Sequence, residues 1–481
     1  MALSHDAPLG ESPAPTAVPA GQSAPADALA PVAQSAPADA LAPVAQSAPA
    51  DALAPVAQSA PAVASPAAGR PADALPKAPA PLVLALAFAQ FGAYLAVLTP
   101  VMVTLALRVS QIVPEADRGA ALGQVLSVGA LLAMLGNPVF GALSDRTTSR
   151  FGRRRPWLVG GMAAGLAGLL VVALGGSVTV LVFGWAVAQL GINATLAALT
   201  SCVPDLIPPQ QQARVSGVIG ITTSLAMIGG SVLAQVFSGS MALAFLVPGA
   251  IGLAAVTCLA VVVKDRPARA GAFAPYSLKE FLRSFWVNPR RHPDFAWNFA
   301  GRFLVFTGAS CVTSYQVYFL MDRLGYDDTA VTGKVLAGTL AMVVAIVVGS
   351  LLGGQLSDRS GRRKPYVLGS SLVMAVSLAM IASAQNFGMY VAALVVFGFG
   401  EGLYLSVDMA LAAAVLPDPE ESAKDMGVLN IGNALPQSLV PIVAPAFLAI
   451  GGGGNYGALF LFGAVAAVLG AVAVQFIRSV V

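Results

Sequence analysis

Histidine and cysteine, which serve most often in nucleophilic catalysis and zinc binding, are scarce in this sequence. The 481 residues include two histidines and three cysteines. Cys202, Cys258 and Cys311 have neither disulfide-framework spacing nor zinc-ligand spacing. His5 and His292 lie in polar stretches, so no His-centred triad can form within the apolar part of the chain. We therefore expect no enzymatic activity, no metal site and no cofactor.

Charged residues are also few. They make up 10% of the chain, whereas a soluble globular domain carries about 25%. Hydrophobic residues make up 57%, and the mean hydropathy is +0.78. The formal net charge of +3 is too small to indicate a nucleic-acid partner. This composition predicts an all-α, polytopic membrane protein whose surroundings are the lipid bilayer.

Residues 1–79 have a different composition. The segment SAPADALAPVAQ occurs three times in tandem from Ser23 to Gln58, and each copy holds two prolines. Such a chain can neither continue a helix nor bury a core. No charged segment followed by an apolar run precedes it, so we predict no signal peptide. We predict a disordered, extended tail that serves as a linker rather than as a specific binding module.

Apolar runs alternate with short polar breaks from Pro81 onward. A bilayer-spanning helix needs about 20 apolar residues, and twelve segments meet this requirement. They cover residues 82–107, 120–143, 157–176, 178–203, 214–238, 242–263, 298–321, 332–356, 366–384, 388–416, 425–450 and 455–477. The longest polar interruption divides them into six and six. We predict an N-terminal six-helix bundle (80–263), a linker loop (264–297) with a surface helix around YSLKEFLRSFW, and a C-terminal six-helix bundle (298–481).

Basic residues are concentrated in the even-numbered loops. The second, sixth and eighth loops hold clusters of Arg and Lys, whereas the third, fifth, ninth and eleventh hold none. Short loops rich in Lys and Arg stay in the cytoplasm. We therefore predict a multi-pass protein of the cytoplasmic membrane with both termini in the cytoplasm, and we expect a monomer.

One charged motif occurs twice. GALSDRTTSRFGRRRPWLVG (residues 141–160) and GGQLSDRSGRRKPYVLG (residues 353–369) share Leu-Ser-Asp-Arg, then Gly-Arg-Arg, a basic residue, Pro and an aromatic residue. Two further pairs keep a similar spacing: VPD with LPD, and ARVSGVIGI with AKDMGVLNI. The repeat indicates two homologous halves. Two halves around a central site are typical of secondary transporters that alternate access by rocking one half against the other.

Twelve predicted helices in two halves, with this motif after the second helix of each, resemble the major facilitator superfamily over residues 80–481. NPVFGALSDRTTSRFGRRRPW and DMGVLNIGNALPQSL are similar to the branch that contains sucrose transporters and glycoside-pentoside cation symporters. The motif gates the cytoplasmic face in that superfamily. The resemblance implies this role for the matching residues, which are Asp145, Arg146, Gly152, Arg153, Asp358, Arg359, Gly361 and Arg362.

Two acidic residues of that branch are amides in this sequence. The resemblance aligns Gln189 with an aspartate linked to proton coupling in sucrose transporters, while Asn193 matches an asparagine there. It also aligns Asn137 with a cation-binding aspartate of the glycoside-pentoside symporters. The resemblance therefore implies no coupling carboxylate at these positions.

The charged residues inside the spans are the remaining candidates for coupling. Glu401 and Asp408 lie seven residues apart in the tenth span, so they share one helical face. A charge near the bilayer centre costs at least about 2.5 kcal/mol, and a carboxyl there can take up and release a proton as access alternates. A structural ion pair or a hydrated helix end would explain the same acids. Arg302 is either their countercharge and a substrate ligand, or a side chain that snorkels to the interface.

Uncharged polar side chains in the spans are candidate substrate ligands. Amides and aromatic rings suit hydroxyl-rich ligands, and they suit hydrogen bonds between helices equally well. With Arg302, the candidates are Gln90, Tyr94, Trp185, Gln189, Asn193, Tyr315, Gln316, Tyr404, Asn430, Asn433 and Gln437.

Three functions are compatible with the sequence. We favour a secondary active transporter that moves a small, hydroxyl-rich solute such as a sugar or glycoside by alternating access, with proton coupling through Asp408 or Glu401. An exporter of drugs or secondary metabolites is the alternative, because the two family acids are missing and Ala, Val and Leu dominate the spans. A non-transporting receptor or scaffold, with the tail as its binding module, is the third.

Overall fold

The computed structural model describes residues 78–263, 265, 287–416 and 422–479. This part of the chain contains no β-strand and twelve helices long and apolar enough to cross a membrane. They are α1 (Ala80–Ser110), α2 (Glu115–Asp145), α3 (Arg155–Leu174), α4 (Val178–Leu206), α5 (Pro209–Val236), α6 (Met241–Val262), α7 (Pro293–Arg323), α8 (Asp328–Ser360), α9 (Lys364–Ser383), α10 (Phe387–Ala414), α11 (Ser422–Leu448) and α12 (Tyr456–Gln475). The prediction of an all-α protein with twelve membrane helices is confirmed. The repeat tail up to residue 77 and the segment YSLKEFLRSFW lie outside the described residues.

Several helices begin before the apolar run that predicted them. α2 begins at Glu115, α5 at Pro209 and α7 at Pro293, each about one turn earlier than predicted. Proline at the first helical position loses no hydrogen bond, because the N–H groups of the first turn have no intrahelical partner. Polar first turns are compatible with a helix that emerges from the bilayer. As a result, α7 begins inside the segment that we predicted as a linker.

The helices pack in the same pattern in the first six and in the last six. α1 packs on α5 and α6, α2 on α4, and α3 on α4 and α6; α7, α8 and α9 make the equivalent contacts with α10, α11 and α12. The two groups meet where α2 packs on α11 and α5 packs on α8. Glycines let helices approach closely. A methyl group at Gly402 of α10 would lie 2.1 Å from the carbonyl oxygen of Ile346 on α8.

Successive loops lie at opposite ends of the helices. Arg108 donates to the carbonyl of Gly175 at 2.9 Å and so joins the first loop region to the third. The backbone N–H of Arg154 donates to Asp265 at 2.6 Å and joins the second loop to the start of the sixth. We call these two ends the odd-loop end and the even-loop end.

Large apolar side chains cover the outer surface. Leu84, Phe183, Val261 and Val344 are each more than 60% exposed. Such a surface is unfavourable in water and suits contact with lipid acyl chains. Length, composition and surface together define a multi-pass membrane protein.

Candidate functional site

The second loop is held by a network of ion pairs. Arg154 is its centre: its guanidinium lies 2.5 Å from Asp145 at the end of α2 and 2.9 Å from Asp205 in the last turn of α4. Arg153 lies 2.5 Å from the other oxygen of Asp205. Burial opposes the charge on Arg154, yet the carboxylates of Asp205 and Asp145 raise its pKa. The network therefore fixes the ends of α2 and α4 to the loop.

Asp265 completes this network from the far end of the first six helices. Its carboxylate accepts hydrogen bonds from the backbone N–H groups of Arg154 and Arg155, at 2.6 and 2.9 Å. It thereby caps the N-terminus of α3, where a negative charge is stabilising. The side chain of Arg155 donates to the carbonyl of Val263. These contacts join α2, α3, α4 and the end of α6, so a gating contact between the two halves stays a prediction.

Gly152 is needed for the Asp265 cap. Its φ is +102°, and a Cβ atom there would lie 2.3 Å from an oxygen of Asp265. We expect Gly152→Ala to lower the free energy of unfolding by about 1–3 kcal/mol, because it adds backbone strain and displaces the cap. The measurement is the unfolding temperature of the purified protein in detergent.

Gly361 provides the matched control in the second copy of the motif. Its φ is +64°, but a Cβ atom added at this position would meet no neighbouring side chain or backbone within 4 Å. Gly361→Ala should therefore cost about 1 kcal/mol from the backbone alone. Equal losses for the two alanine variants would contradict the steric role of Asp265.

The second copy of the motif makes partly equivalent contacts. Arg363 donates to the carbonyl of Ala410 at 2.6 Å, and Lys364 donates to the carbonyl of Ile477. The Lys364 contact ties the start of α9 to the end of α12, as the Arg155 contact ties α3 to α6. Both copies therefore anchor the third helix of a half to its sixth.

The acidic part of the second copy is more exposed than that of the first. Asp358, Arg359 and Arg362 are all exposed at the even-loop end, around the left-handed Gly361. Asp418, the sequence equivalent of Asp205, lies outside the described residues. A gating role for this group stays a prediction.

An ion pair joins α7 and α10 inside the membrane. Arg302 lies 2.6 Å from Asp408, and each side chain is 1% exposed. Arg302 follows Pro293 by nine residues, so it lies about 13 Å along α7. Its guanidinium contacts the sulfur of Met409 at 3.4 Å, and one turn before Asp408 the ring of Tyr404 packs edge-on against Phe306. The structure thus pairs the two predicted charges and places Tyr404 beside them.

Polar atoms on α7 and α11 have no partner within the described structure. They include Nδ2 of Asn298, Nε of Arg302 and Oδ1 of Asn433, all buried. Asn433 also donates to Asn430 at 3.3 Å, whereas Gln437 is exposed. An unsatisfied polar group in lipid costs several kcal/mol. A polar ligand or a water molecule that pairs with these atoms would remove this cost, so they are candidate binding groups.

Glu401 lies on the same face of α10 as Asp408, near the middle of the helix. It is partly buried, and none of the described hydrogen bonds or ion pairs involves it. The two acids predicted for coupling therefore differ: Asp408 is fully buried and paired, while Glu401 is partly buried and has no ion-pair partner in the described part of the chain.

The predicted ligands on α4 form a local group. Asn193 donates to the side-chain oxygen of Gln189 at 3.0 Å. Trp185 is fully buried, and a Cβ atom at Gly129 of α2 would lie 2.1 Å from its Nε1. Trp185 therefore packs α4 against α2, and the two amides satisfy each other in part.

Predicted ligands on other helices are also engaged with neighbours. Tyr94 hydrogen-bonds to Gln90 within α1 and to Thr223 of α5. Gln316 of α7 accepts a hydrogen bond from Tyr390 of α10 at 3.4 Å. These residues hold helices together within each group of six.

A cluster of contacts closes the odd-loop end between the two groups of helices. Arg118 of α2 lies 3.3 Å from Asp322 of α7, and the hydroxyl of Tyr456 on α12 donates to Asp322. The guanidinium of Arg118 lies 5.6 Å from the centre of the Tyr318 ring, whose hydroxyl donates to the carbonyl of Ala106 at 3.0 Å. We call these five residues, together with Tyr315 one turn deeper, the odd-loop closure.

The closure continues one turn deeper into the bundle. Tyr315 donates to the carbonyl of Gly119 on α2 at 3.3 Å, so this predicted ligand takes part in the closure. A Cβ atom at Gly123 would lie 2.3 Å from the carbonyl oxygen of Pro441 on α11. The backbones of α2 and α11 therefore touch at this level.

Contacts between α5 and α8 also join the two groups of helices at the odd-loop end. Thr332 donates to Gln235 at 2.5 Å, and Ser231 donates to Thr339 at 3.3 Å. Sequence reasoning missed the closure, although an arginine and an aspartate stand at matching helix ends in the second and seventh helices. Pairing them requires knowledge of which helices are neighbours.

Comparison with known proteins agrees with this architecture. The sequence matches the family model of the Major Facilitator Superfamily over residues 82–351 and 336–480. It is 31% identical over 148 residues to the MFS-type transporter YttB of Bacillus subtilis (30% of this chain, 36% of that protein). It is 23% identical over 402 residues to the MFS-type transporter Rv1877 of Mycobacterium tuberculosis (72% and 55%). The chain thus spans about half or less of the length of these curated relatives.

The fold is also similar to that of solved transporters. A crystal structure of the nucleoside transporter NupG superimposes with a TM-score of 0.63 at 16% identity, over 82% of this chain and 98% of that chain. At this identity the likeness concerns the fold alone. Because the family model covers most of the sequence and the twelve-helix fold agrees with it, this chain belongs to the Major Facilitator Superfamily.

Proposed function

We propose that this protein is a proton-coupled secondary transporter of a small, hydroxyl-rich solute, of the sugar or glycoside class. The observation that carries the proposal is the Arg302–Asp408 pair, which is buried between α7 and α10. An intramembrane ion pair of this kind is costly to bury, and its replacement by apolar residues often stabilises a protein. A role in transport therefore explains the presence of the pair better than a role in stability does.

The chemistry of the pair suggests how coupling works. Protonation of Asp408 removes the negative charge that neutralises Arg302, so the contact between α7 and α10 weakens. The guanidinium, whose Nε has no partner, then becomes available to hydroxyl or anionic groups of a solute. Glu401, partly buried on the same face, is the second proton acceptor that we propose.

The state of the two ends supports alternating access. The odd-loop closure joins the two groups of helices at one end, so a solute would reach the buried pair from the even-loop end. We propose that the even-loop end faces the cytoplasm, because the basic residues are concentrated there. Transport then requires the odd-loop closure to open in the opposite state.

Buried polar atoms without partners on α7 and α11 favour a hydroxyl-rich solute. Orphan amide atoms of Asn298 and Asn433 provide one donor and one acceptor beside α7 and α11. By its name, the structural neighbour NupG transports nucleosides, and a nucleoside is an N-glycoside of a sugar. We therefore include nucleosides among the glycosides to be tested.

Uptake into proteoliposomes tests the proposal. With an imposed pH gradient, the protein should accumulate at least one labelled sugar, glycoside or nucleoside, and a protonophore should abolish the accumulation. The variant Asp408→Asn should lose gradient-driven accumulation, whereas Asp328→Asn, at an exposed acid of the odd-loop end, should retain it. If none of these solutes accumulates and loss of the protein instead sensitises cells to drugs, the exporter alternative replaces this proposal.

A further inference from the structure

A recess opens on the outer surface where α9 begins and α12 ends. It is lined by Arg362, Lys364, Pro365, Leu368 and Gln475 and has a volume of about 350 Å³. We propose that this recess binds the headgroup of an anionic phospholipid. The proposal concerns a lipid site outside the transport pathway and does not depend on the transported solute.

The recess presents two positive charges. Arg362 is exposed, and neither it nor Lys364 lies within ion-pair distance of a carboxylate in the described part of the chain, although Asp294 interacts with Lys364 electrostatically from farther away. The ammonium group of Lys364 is held in place by the carbonyl of Ile477. Gln475 adds an amide donor at the rim. Basic groups at a membrane interface are typical of sites for acidic lipid headgroups.

An apolar path leads from the recess towards the middle of the bilayer. Leu372 and Val376 follow Leu368 along α9, and Val472 and Val468 precede Gln475 along α12. These four side chains are between 40% and 58% exposed. They can therefore contact acyl chains below a headgroup held in the recess, which a soluble anion would not require.

Aromatic residues mark this level of the helices as the membrane interface. Trp297 stacks on Phe476 with ring centroids 4.6 Å apart, and both rings are partly exposed. Tryptophan is enriched where the hydrocarbon meets the headgroups. Phe476 directly follows Gln475, so the recess lies at headgroup depth.

Snorkelling of Arg362 and Lys364 to water is the simpler explanation for two basic residues at a helix end. It predicts only a diffuse attraction of anionic lipids, shared by any two exposed basic residues at this end, and no fixed stoichiometry. A built site predicts one tightly retained anionic lipid, because Arg362 and Lys364 line the same recess.

Native mass spectrometry of the delipidated full-length protein separates the two. Titration with phosphatidylglycerol should give one bound lipid at concentrations where phosphatidylcholine gives none. The double variant Arg362→Gln/Lys364→Gln should bind phosphatidylglycerol about thirtyfold more weakly, from the loss of two interfacial cations. The matched control Arg290→Gln/Arg291→Gln removes the same charge from exposed residues of the even-loop end outside the recess. It should bind as the wild type does.

A second variant keeps the proposal testable if the double variant Arg362→Gln/Lys364→Gln does not fold. Gln475→Lys adds a cation at the rim and should tighten phosphatidylglycerol binding about fivefold. Millimolar inorganic phosphate should not displace the lipid. Equal binding of both lipids, equal loss in both double variants, no gain with Gln475→Lys, or displacement by phosphate would each overturn the proposal.

Discussion

Asp408→Asn is expected to lower the free energy of unfolding by about 3–5 kcal/mol. The variant removes the partner of Arg302 and leaves an unpaired guanidinium on a side chain that is 1% exposed. The reverse variant, Arg302→Met, leaves a buried carboxylate and should be similarly destabilising, unless Asp408 takes up a proton and becomes neutral. Thermal unfolding of the purified variants in one detergent measures both effects.

The double variant Arg302→Met/Asp408→Leu separates stability from coupling. It removes both charges and replaces them by apolar groups, so it should recover most of the stability lost in Asp408→Asn. It should not recover proton-driven uptake if the pair carries the coupling. Full uptake by a stable double variant would show that the pair is structural, and the coupling role would pass to Glu401. The double variant also serves as a control in the transport test, because it is a stable protein without the pair.

Loss of the odd-loop closure is the second large effect that we expect. Asp322→Asn weakens the ion pair to Arg118 across the two groups of helices and the hydrogen bond from Tyr456. Contacts to a charged group are worth about 1.5–3 kcal/mol. The equilibrium should therefore shift about tenfold or more towards the state that is open at the odd-loop end.

Cysteine labelling measures this shift. In a background without Cys202, Cys258 and Cys311, a cysteine introduced at Ser127 is buried one turn beneath Gly123 on α2, because Ser127 is 8% exposed and its hydroxyl bonds only within its own helix. A membrane-impermeant maleimide should label it about tenfold faster when Asp322→Asn is present.

Glu115→Gln is the matched control. Glu115 also pairs with Arg118, at 3.2 Å, but within α2 and with a carboxylate side chain that is 73% exposed. An exposed pair of this kind contributes little, so labelling should stay at the wild-type rate. Gly123→Ala offers an independent route to the open state, since its methyl group would be forced against Pro441. Unchanged labelling in both Asp322→Asn and Gly123→Ala would contradict the closure.

The sequence predicted the membrane helices well, because a span is a local property. About 20 apolar residues in a row must cross the bilayer as a helix wherever the segment lies in the fold. The ends differ from the prediction by about one turn where the first turn is polar, as at Glu115 and Pro293. A polar turn that continues the helix into the headgroup region has low hydropathy, so a search for apolar runs leaves it out.

Candidate residues were identified more easily than their partners. Arg302 and Asp408 stood out because intramembrane charge is expensive, but their separation in sequence left pairing and snorkelling equally open. No local pattern distinguishes Asp265 in the sequence, and yet it caps α3 from a position 111 residues away. Tyr315 was predicted as a ligand and is found in the closure.

By itself, the sequence determined that this protein is a twelve-helix membrane protein with a doubled charged motif, because hydropathy and repeats are properties of consecutive residues. Only the tertiary structure decided which charges meet. Arg302 with Asp408, Arg118 with Asp322, and Asp265 with the N-terminus of α3 all join residues far apart in sequence. Such contacts depend on which helices become neighbours, and helix packing is set by side-chain shape over the whole bundle rather than by any local pattern.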